Sequence, residues 1–185
     1  MRILVPTKCV PDVDQKIRAS DDGRRVVVDH IPFVINPFDA VALEEAVRIG
    51  EQPGGSVEAV AVGIDGNEQP QNLQAAKALG AARVVHVPCP VALDPWNVAR
   101  LLRAVVERER PQLVIMGKQA ADDDANQTGQ FLAALLDWPQ ATFASQVNLV
   151  GDNLTIDRDT DYGIETVQLS LPAVITVALR LNNPR

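Results

Sequence analysis

The sequence predicts an α/β fold, a doubly wound and mostly parallel sheet carrying an antiparallel β appendage. Short continuous apolar runs alternate with amphipathic helical segments from the N-terminus to Trp138, the pattern of βα units that close a parallel sheet. Aromatics make up only 4% of the 185 residues. The apolar content is instead Ala, Val, Leu and Ile, which suits strands buried on both faces beneath small-residue helices. After Trp138-Pro139 the apolar positions switch from helical spacing to strict alternation, which marks strands with one face wetter than the other.

Each element can be justified in order. Arg2 to Thr7 reads as a strand buried on both sides. Lys16-Ile17-Arg18 and Arg24 to Val28, separated by Asp21-Asp22-Gly23, read as a small hairpin excursion. Asn36-Pro37 has the form of a helix N-cap and first helical residue. Ala40, Leu43 and Val47 follow at helical spacing, and Gly50 is expected to close the helix. Val57 to Val62 is the next strand, then a helix from Gln69 to Leu79, then a strand from Arg83 to Val87. Asp94-Pro95 caps a helix whose face is Val98, Leu101, Leu102 and Val105. Leu113 to Met116 is a fourth strand, and Thr128, Phe131, Leu132 and Leu135 form one face of a fourth helix. Alternation around Val147–Leu149, Leu154–Ile156 and Val167–Leu171, with turns at Gly151-Asp152-Asn153 and Tyr162-Gly163, predicts an antiparallel meander at about 141–171. Ala173 to Leu179 is a last apolar strand able to rejoin the main sheet. With no repeat and no low-complexity linker, residues 1–185 read as a single domain.

Composition narrows the function. A net charge of −7 disfavours a nucleic-acid or anionic-membrane surface, since either needs a basic patch. No apolar run approaches the ~20 residues of a spanning helix, so no direct membrane insertion is expected. Met1-Arg2-Ile3-Leu4-Val5 enters a strand with no targeting peptide in front of it, and Cys9 and Cys89 read as free thiols; both point to a cytoplasmic chain. His30 and His86 have no Ser or Cys partner in a recognisable motif, so no catalytic residue and no metal ligand is assigned. Neither a Gly-rich dinucleotide fingerprint nor a P-loop occurs.

In an open parallel sheet, ligands bind beyond the carboxyl ends of the strands. The candidate segment there is Gly117-Lys118-Gln119-Ala120-Ala121-Asp122-Asp123-Asp124-Ala125-Asn126-Gln127-Thr128, a long polar loop leading into the fourth helix. One reading places a phosphate on the unpaired amides of that helix start, with Asn126, Gln127 and Thr128 as donors and Asp123 on a ribose hydroxyl. The other makes Asp124 an N-cap and leaves the remaining aspartates solvated. A Mg²⁺ cluster is disfavoured, because nothing else in the chain pairs with the triplet.

This loop, continued by Gly129-Gln130, resembles the AMP-binding signature of electron transfer flavoprotein β subunits. Lys8-Cys9-Val10-Pro11-Asp12, Asn36-Pro37-Phe38-Asp39 with Glu44 to Arg48, Ala78-Leu79-Gly80-Ala81, Asp137 to Ser145, Leu171 to Val174 and Leu179 to Arg185 extend the resemblance along the chain, in order. It implies the adenine-nucleotide-binding type of the doubly wound fold, and an electron-carrier subunit with no catalytic residues of its own. A structural AMP would be bound by Pro6, Asn36 to Asp39, Ile64 and the loop from Gly117 to Thr128, with Pro6 and Ile64 walling the adenine. FAD would be shared with an α subunit. Electrons would pass from acyl-CoA or related dehydrogenases to a membrane quinone oxidoreductase. The resemblance also implies that relatives continue past the position of Arg185 into a dehydrogenase-recognition loop and a C-terminal arm, expected to be absent here. Val13 stands where the family carries an aromatic residue near the flavin.

Three other readings compete. An electron-bifurcating relative would hold FAD in place of AMP, but its loop carries a Gly in the acidic triplet. A stand-alone ATP-binding stress-type domain would lack the meander. An ATP pyrophosphatase would carry a Ser-Gly-rich loop where Lys8-Cys9-Val10-Pro11 stands.

Overall fold

The computed structural model describes residues 1–52, 57–65 and 71–185. In chain order the elements are β1 (Arg2–Thr7), β2 (Cys9–Pro11), β3 (Arg18–Ala19), β4 (Val26–Val27), β5 (Phe33–Ile35), α1 (Pro37–Glu51), β6 (Glu58–Asp65), α2 (Gln71–Ala78), β7 (Arg83–Pro88) and α3 (Pro95–Glu109). Then come β8 (Leu113–Gly117), α4 (Thr128–Leu136), β9 (Gln140–Val150), β10 (Asn153–Thr160), β11 (Gly163–Ser170), β12 (Ala173–Val177) and a 3₁₀ turn (Leu179–Leu181).

One sheet runs β11-β10-β9-β12-β8-β1-β6-β7. Every pairing from β9 through β7 is parallel, while β9-β10 and β10-β11 are antiparallel. The appendage is therefore continuous with the main sheet, and β12 returns to lie between β8 and β9. β9 joins the two halves: Gln140, Ala141 and Ala144 pair with β12, and residues 144–150 pair with β10. The excursion after β1 is two small antiparallel ladders, β2 with β5 and β3 with β4.

Strand alternation divides the core between the faces of the sheet. Ile3, Val5, Ala61, Ile115 and Ile175 point to one face, where Leu43, Ala46 and Leu73 of α1 and α2 cover them. Leu4, Val60, Val62, Val114 and Val174 point to the other, beneath Leu102, Val105 and Leu132 of α3 and α4. Burying branched residues on both faces is what a parallel sheet demands. Helix ends follow local chemistry: Asp94 accepts a hydrogen bond from the Asn97 N–H at 2.8 Å, and Pro95 takes the first position of α3.

One helix boundary differs from expectation. Gly50 does not end α1, which continues to Glu51 with Gln52 as C-cap. A Cβ on Gly50 would lie 3.3 Å from the Val57 carbonyl, so glycine serves a close approach to the following strand rather than a stop. The described part of the second helix spans Gln71–Ala78; the expected start at Gln69 and Pro70 lies outside the described residues.

Candidate functional site

The carboxyl ends of β1, β6 and β8 open onto a cleft of about 460 Å³. It sits where the strand order reverses, between β1, which leads outward to β6 and β7, and β8, which leads the other way. That is the topological switch point, where helices leave opposite faces of the sheet and a crevice is unavoidable. One wall is apolar, formed by Val62, Ile64, Leu93, Val98, Leu102 and Met116; the other is polar, formed by Thr7, Asn36, Gln119, Asp123 and residues 126–128.

The polar wall is shaped by the residue types of the loop before α4. Asp124 and Asn126 both have φ of 50°, the left-handed region that Asp and Asn tolerate best among side-chain-bearing residues. The Asp123 carboxylate accepts the Ala125 N–H at 3.0 Å, and Asp124 accepts from the Gln119 amide at 2.6 Å. Asp122 is bound to the Lys8 ammonium at 2.9 Å. Thus Lys8 ties Asp122 and, at 3.7 Å, Asp123, while the Asp123 and Asp124 carboxylates are otherwise taken up within the loop. Gln127 takes the N-cap position of α4 without a side-chain cap, and Gln127 and Thr128 at this uncapped helix start line the cleft.

Behind the loop lies the start of α1. Asn36 is 1% exposed. Its Nδ2 donates to the Gln119 carbonyl at 3.0 Å, and its Oδ1 accepts the Ala121 N–H at 3.2 Å. Asp39 accepts the Lys8 backbone N–H at 3.0 Å. Burial pushes the Asp39 carboxyl up to about 7, against the opposing pull of the Lys8 and Gly117 backbone N–H groups, the Asn36 amide and the Lys8 charge. Gly117 closes the contact, since a Cβ there would lie 2.5 Å from Asp39 Oδ1 and 2.6 Å from Phe38 Cβ. The end of β1 is fixed from the other side, where buried Asn72 donates to the Thr7 carbonyl at 2.9 Å.

Residues 24–185 match the family model of the electron transfer flavoprotein domain. The whole chain aligns with electron transfer flavoprotein subunit beta of Homo sapiens at 48% identity and of Dictyostelium discoideum at 45%, covering 74% of each relative. The corresponding subunit of Bradyrhizobium diazoefficiens is 44% identical over 185 residues, again 74% of its length. The chain belongs to the electron transfer flavoprotein β-subunit family. Membership makes it one subunit of a flavin-bearing electron carrier and implies an α-subunit partner. No helix among the described residues is long and apolar enough to cross a membrane.

Of the family's expected nucleotide residues, Pro6, Asn36, Asp39, Ile64, Gly117, Lys118, Gln119, Ala120, Asp123, Ala125, Asn126, Gln127 and Thr128 line the cleft. Pro37, Phe38, Ala121, Asp122 and Asp124 are not among the lining residues, and Asp122 and Asp124 are exposed. Asp124 is not an N-cap, and Asn126 is not in the first turn of α4, which begins at Thr128; a left-handed residue cannot continue a right-handed helix. The Lys118 ammonium rests 4.6 Å from the Phe143 ring centroid and 5.7 Å from that of Phe38. Sequence reasoning missed the wall formed by Cys89-Pro90-Val91-Ala92-Leu93 between β7 and α3. The signal available was positional: this loop also leaves the carboxyl edge of the sheet, beside β6.

Proposed function

We propose that this chain holds AMP in the cleft and, together with its α subunit, houses the FAD through which the heterodimer relays electrons. The observation that carries the reading is the division of the cleft into an apolar wall and a polar wall ending at the uncapped start of α4. An adenine ring needs the first and a phosphate the second, because the free amides and dipole of a helix start favour an anion. The volume of about 460 Å³ falls within the range of small-ligand clefts. Pro6 and Ile64 flank the base, residues 126–128 receive the phosphate, and Asp123 stands within the same polar wall for the ribose.

On this reading the chain performs no chemistry of its own. Bound FAD supplies the redox capacity; this subunit orients and shields. Val13, aliphatic at the position where the family has an aromatic, is 52% exposed and therefore free to meet the partner or its flavin. Acyl-CoA or related dehydrogenases donate electrons, and a membrane quinone oxidoreductase receives them.

The test is to denature the purified heterodimer and identify released nucleotides by mass spectrometry. One AMP per β chain is expected, together with a β chain that is nearly colourless when expressed alone. FAD in place of AMP would favour the bifurcating type, and no nucleotide at all would remove the AMP reading.

A further inference from the structure

We infer that Asn36 is a positioning residue for the nucleotide, acting through the loop before α4 rather than as the cap of its own helix. The inference rests on the AMP reading above and adds how the phosphate wall is held.

Asn36 occupies the N-cap position of α1, with Pro37 behind it, yet its side chain makes no cap hydrogen bond to that helix. A buried asparagine at an N-cap ordinarily accepts from an amide of the first turn. Here both ends of the amide are bonded to the distant loop, and toward α1 the amide meets only the Asp39 carboxyl, not a backbone group. Nδ2 meets the Gln119 carbonyl, and Oδ1 meets the Ala121 N–H, 83 and 85 residues along the chain. At 1% exposure neither group has water as an alternative partner.

The two bonds hold opposite polar groups of one backbone stretch. They fix the rotation of residues 119–121 as well as their distance from α1. That stretch enters the turn in which Asp124 donates its N–H to the Ala120 carbonyl at 3.0 Å, and from which Asp124 and Asn126 pass through left-handed conformations into α4. Left-handed backbone at non-glycine residues costs energy and persists only where surroundings over-determine it. Asn36 supplies that determination from behind the cleft. The neighbouring loop cations and carboxylates are not substitutes: Lys8 ties Asp122 and Asp123 at the exposed rim, with Asp122 at 2.9 Å.

A simple capping role and a positioning role make different predictions. Serine and aspartate are both good N-caps. Asn36→Ser keeps capping ability but cannot span to both loop groups. Asn36→Asp keeps the acceptor for Ala121 but replaces the donor to Gln119 with a carboxylate oxygen set against that carbonyl and the buried Asp39 carboxyl. Ile49→Val, in the buried face of α1 and away from the loop, controls for loss of helix stability. Each variant is purified as the heterodimer, stripped of AMP, and measured for AMP dissociation constant and for the thermal midpoint of the nucleotide-free protein.

The expected result is a rise in dissociation constant of about tenfold or more for Asn36→Ser, the scale set by two ordinary hydrogen bonds. Asn36→Asp, although an equally good cap, should show at least as large a rise, and Ile49→Val none, despite its lower midpoint. A serine variant within about fivefold of wild type would overturn the inference, as would a loss of affinity in Ile49→Val matching that in Asn36→Ser. Wild-type protein that carries and rebinds no AMP would instead remove the AMP reading itself, and this inference with it.

Discussion

Gly117→Ala is the sharpest probe of how the cleft is built. Gly117 ends β8, and its φ lies outside the left-handed region, so backbone conformation is no obstacle to alanine. The obstacle is space. The new methyl would lie 2.5 Å from Asp39 Oδ1, 2.6 Å from Phe38 Cβ and 3.0 Å from the Phe38 carbonyl carbon. Two of those atoms belong to or adjoin the backbone of α1, which cannot rotate away as a flexible side chain would. The helix start must move off the strand, at the cost typical of overpacking, about 1–3 kcal/mol. Movement also lengthens the bond from the Gly117 N–H to the Asp39 carboxyl, leaving a buried acceptor short of a donor for about 1–3 kcal/mol more. A destabilisation of about 2–6 kcal/mol is therefore expected. Because Asn36 moves with α1, AMP retention should fall in parallel. Denaturant titration of the purified protein, paired with nucleotide analysis of the desalted sample, measures both. Stability within about 0.5 kcal/mol of wild type, with full AMP content, would refute the tight apposition of α1 and β8.

Two further outcomes concern pH. Asp39 has its folded-state value raised from 3.8 to about 7 by burial, so its contribution to stability is fully present below about 4 and is lost as pH rises through about 7. Asp39→Asn should flatten that dependence; denaturation midpoints of both proteins from pH 4 to 8 that run parallel would count against the assignment. Glu44 moves the opposite way: hydrogen bonds from Arg185, assisted by Arg48, hold it down to about 2 against a partial desolvation. Its contribution is present above about 4.5 and is lost as pH falls towards 2. Glu44→Gln should therefore destabilise at neutral pH and converge on wild type in acid-unfolding curves, and a constant offset at all pH values would refute the pairing.

How much of this was legible beforehand differs from element to element. The alternation of apolar runs and amphipathic helices disclosed the doubly wound sheet, since burial on both faces of a parallel strand requires it. The acidic loop was legible as a candidate site because polar loops at strand carboxyl ends are where such folds bind ligands. Its internal geometry was not. Whether Asp124 caps α4 or turns left-handed depends on where the loop is pinned, and the pins are Asn36 and Lys8, far away along the chain. The continuity of the appendage with the main sheet was equally hidden, because alternation reports which face of a strand is wet but not which strand lies beside it.

The sequence by itself determined the period of each element, the prolines that start α1 and α3, the Asp94 cap of α3 and, through residue-by-residue resemblance, the family. These are local properties, set by side-chain chemistry within a turn or two of the backbone. Only the tertiary structure decided that β12 inserts between β8 and β9, that Cys89 to Leu93 wall the cleft, and that the Asn36 side chain serves a loop 83 residues away rather than its own helix. The reason is that a buried hydrogen-bonding group goes to whichever partner the packed strands bring within 3 Å of it, and strand order in a parallel sheet is settled by crossover connections that span much of the chain.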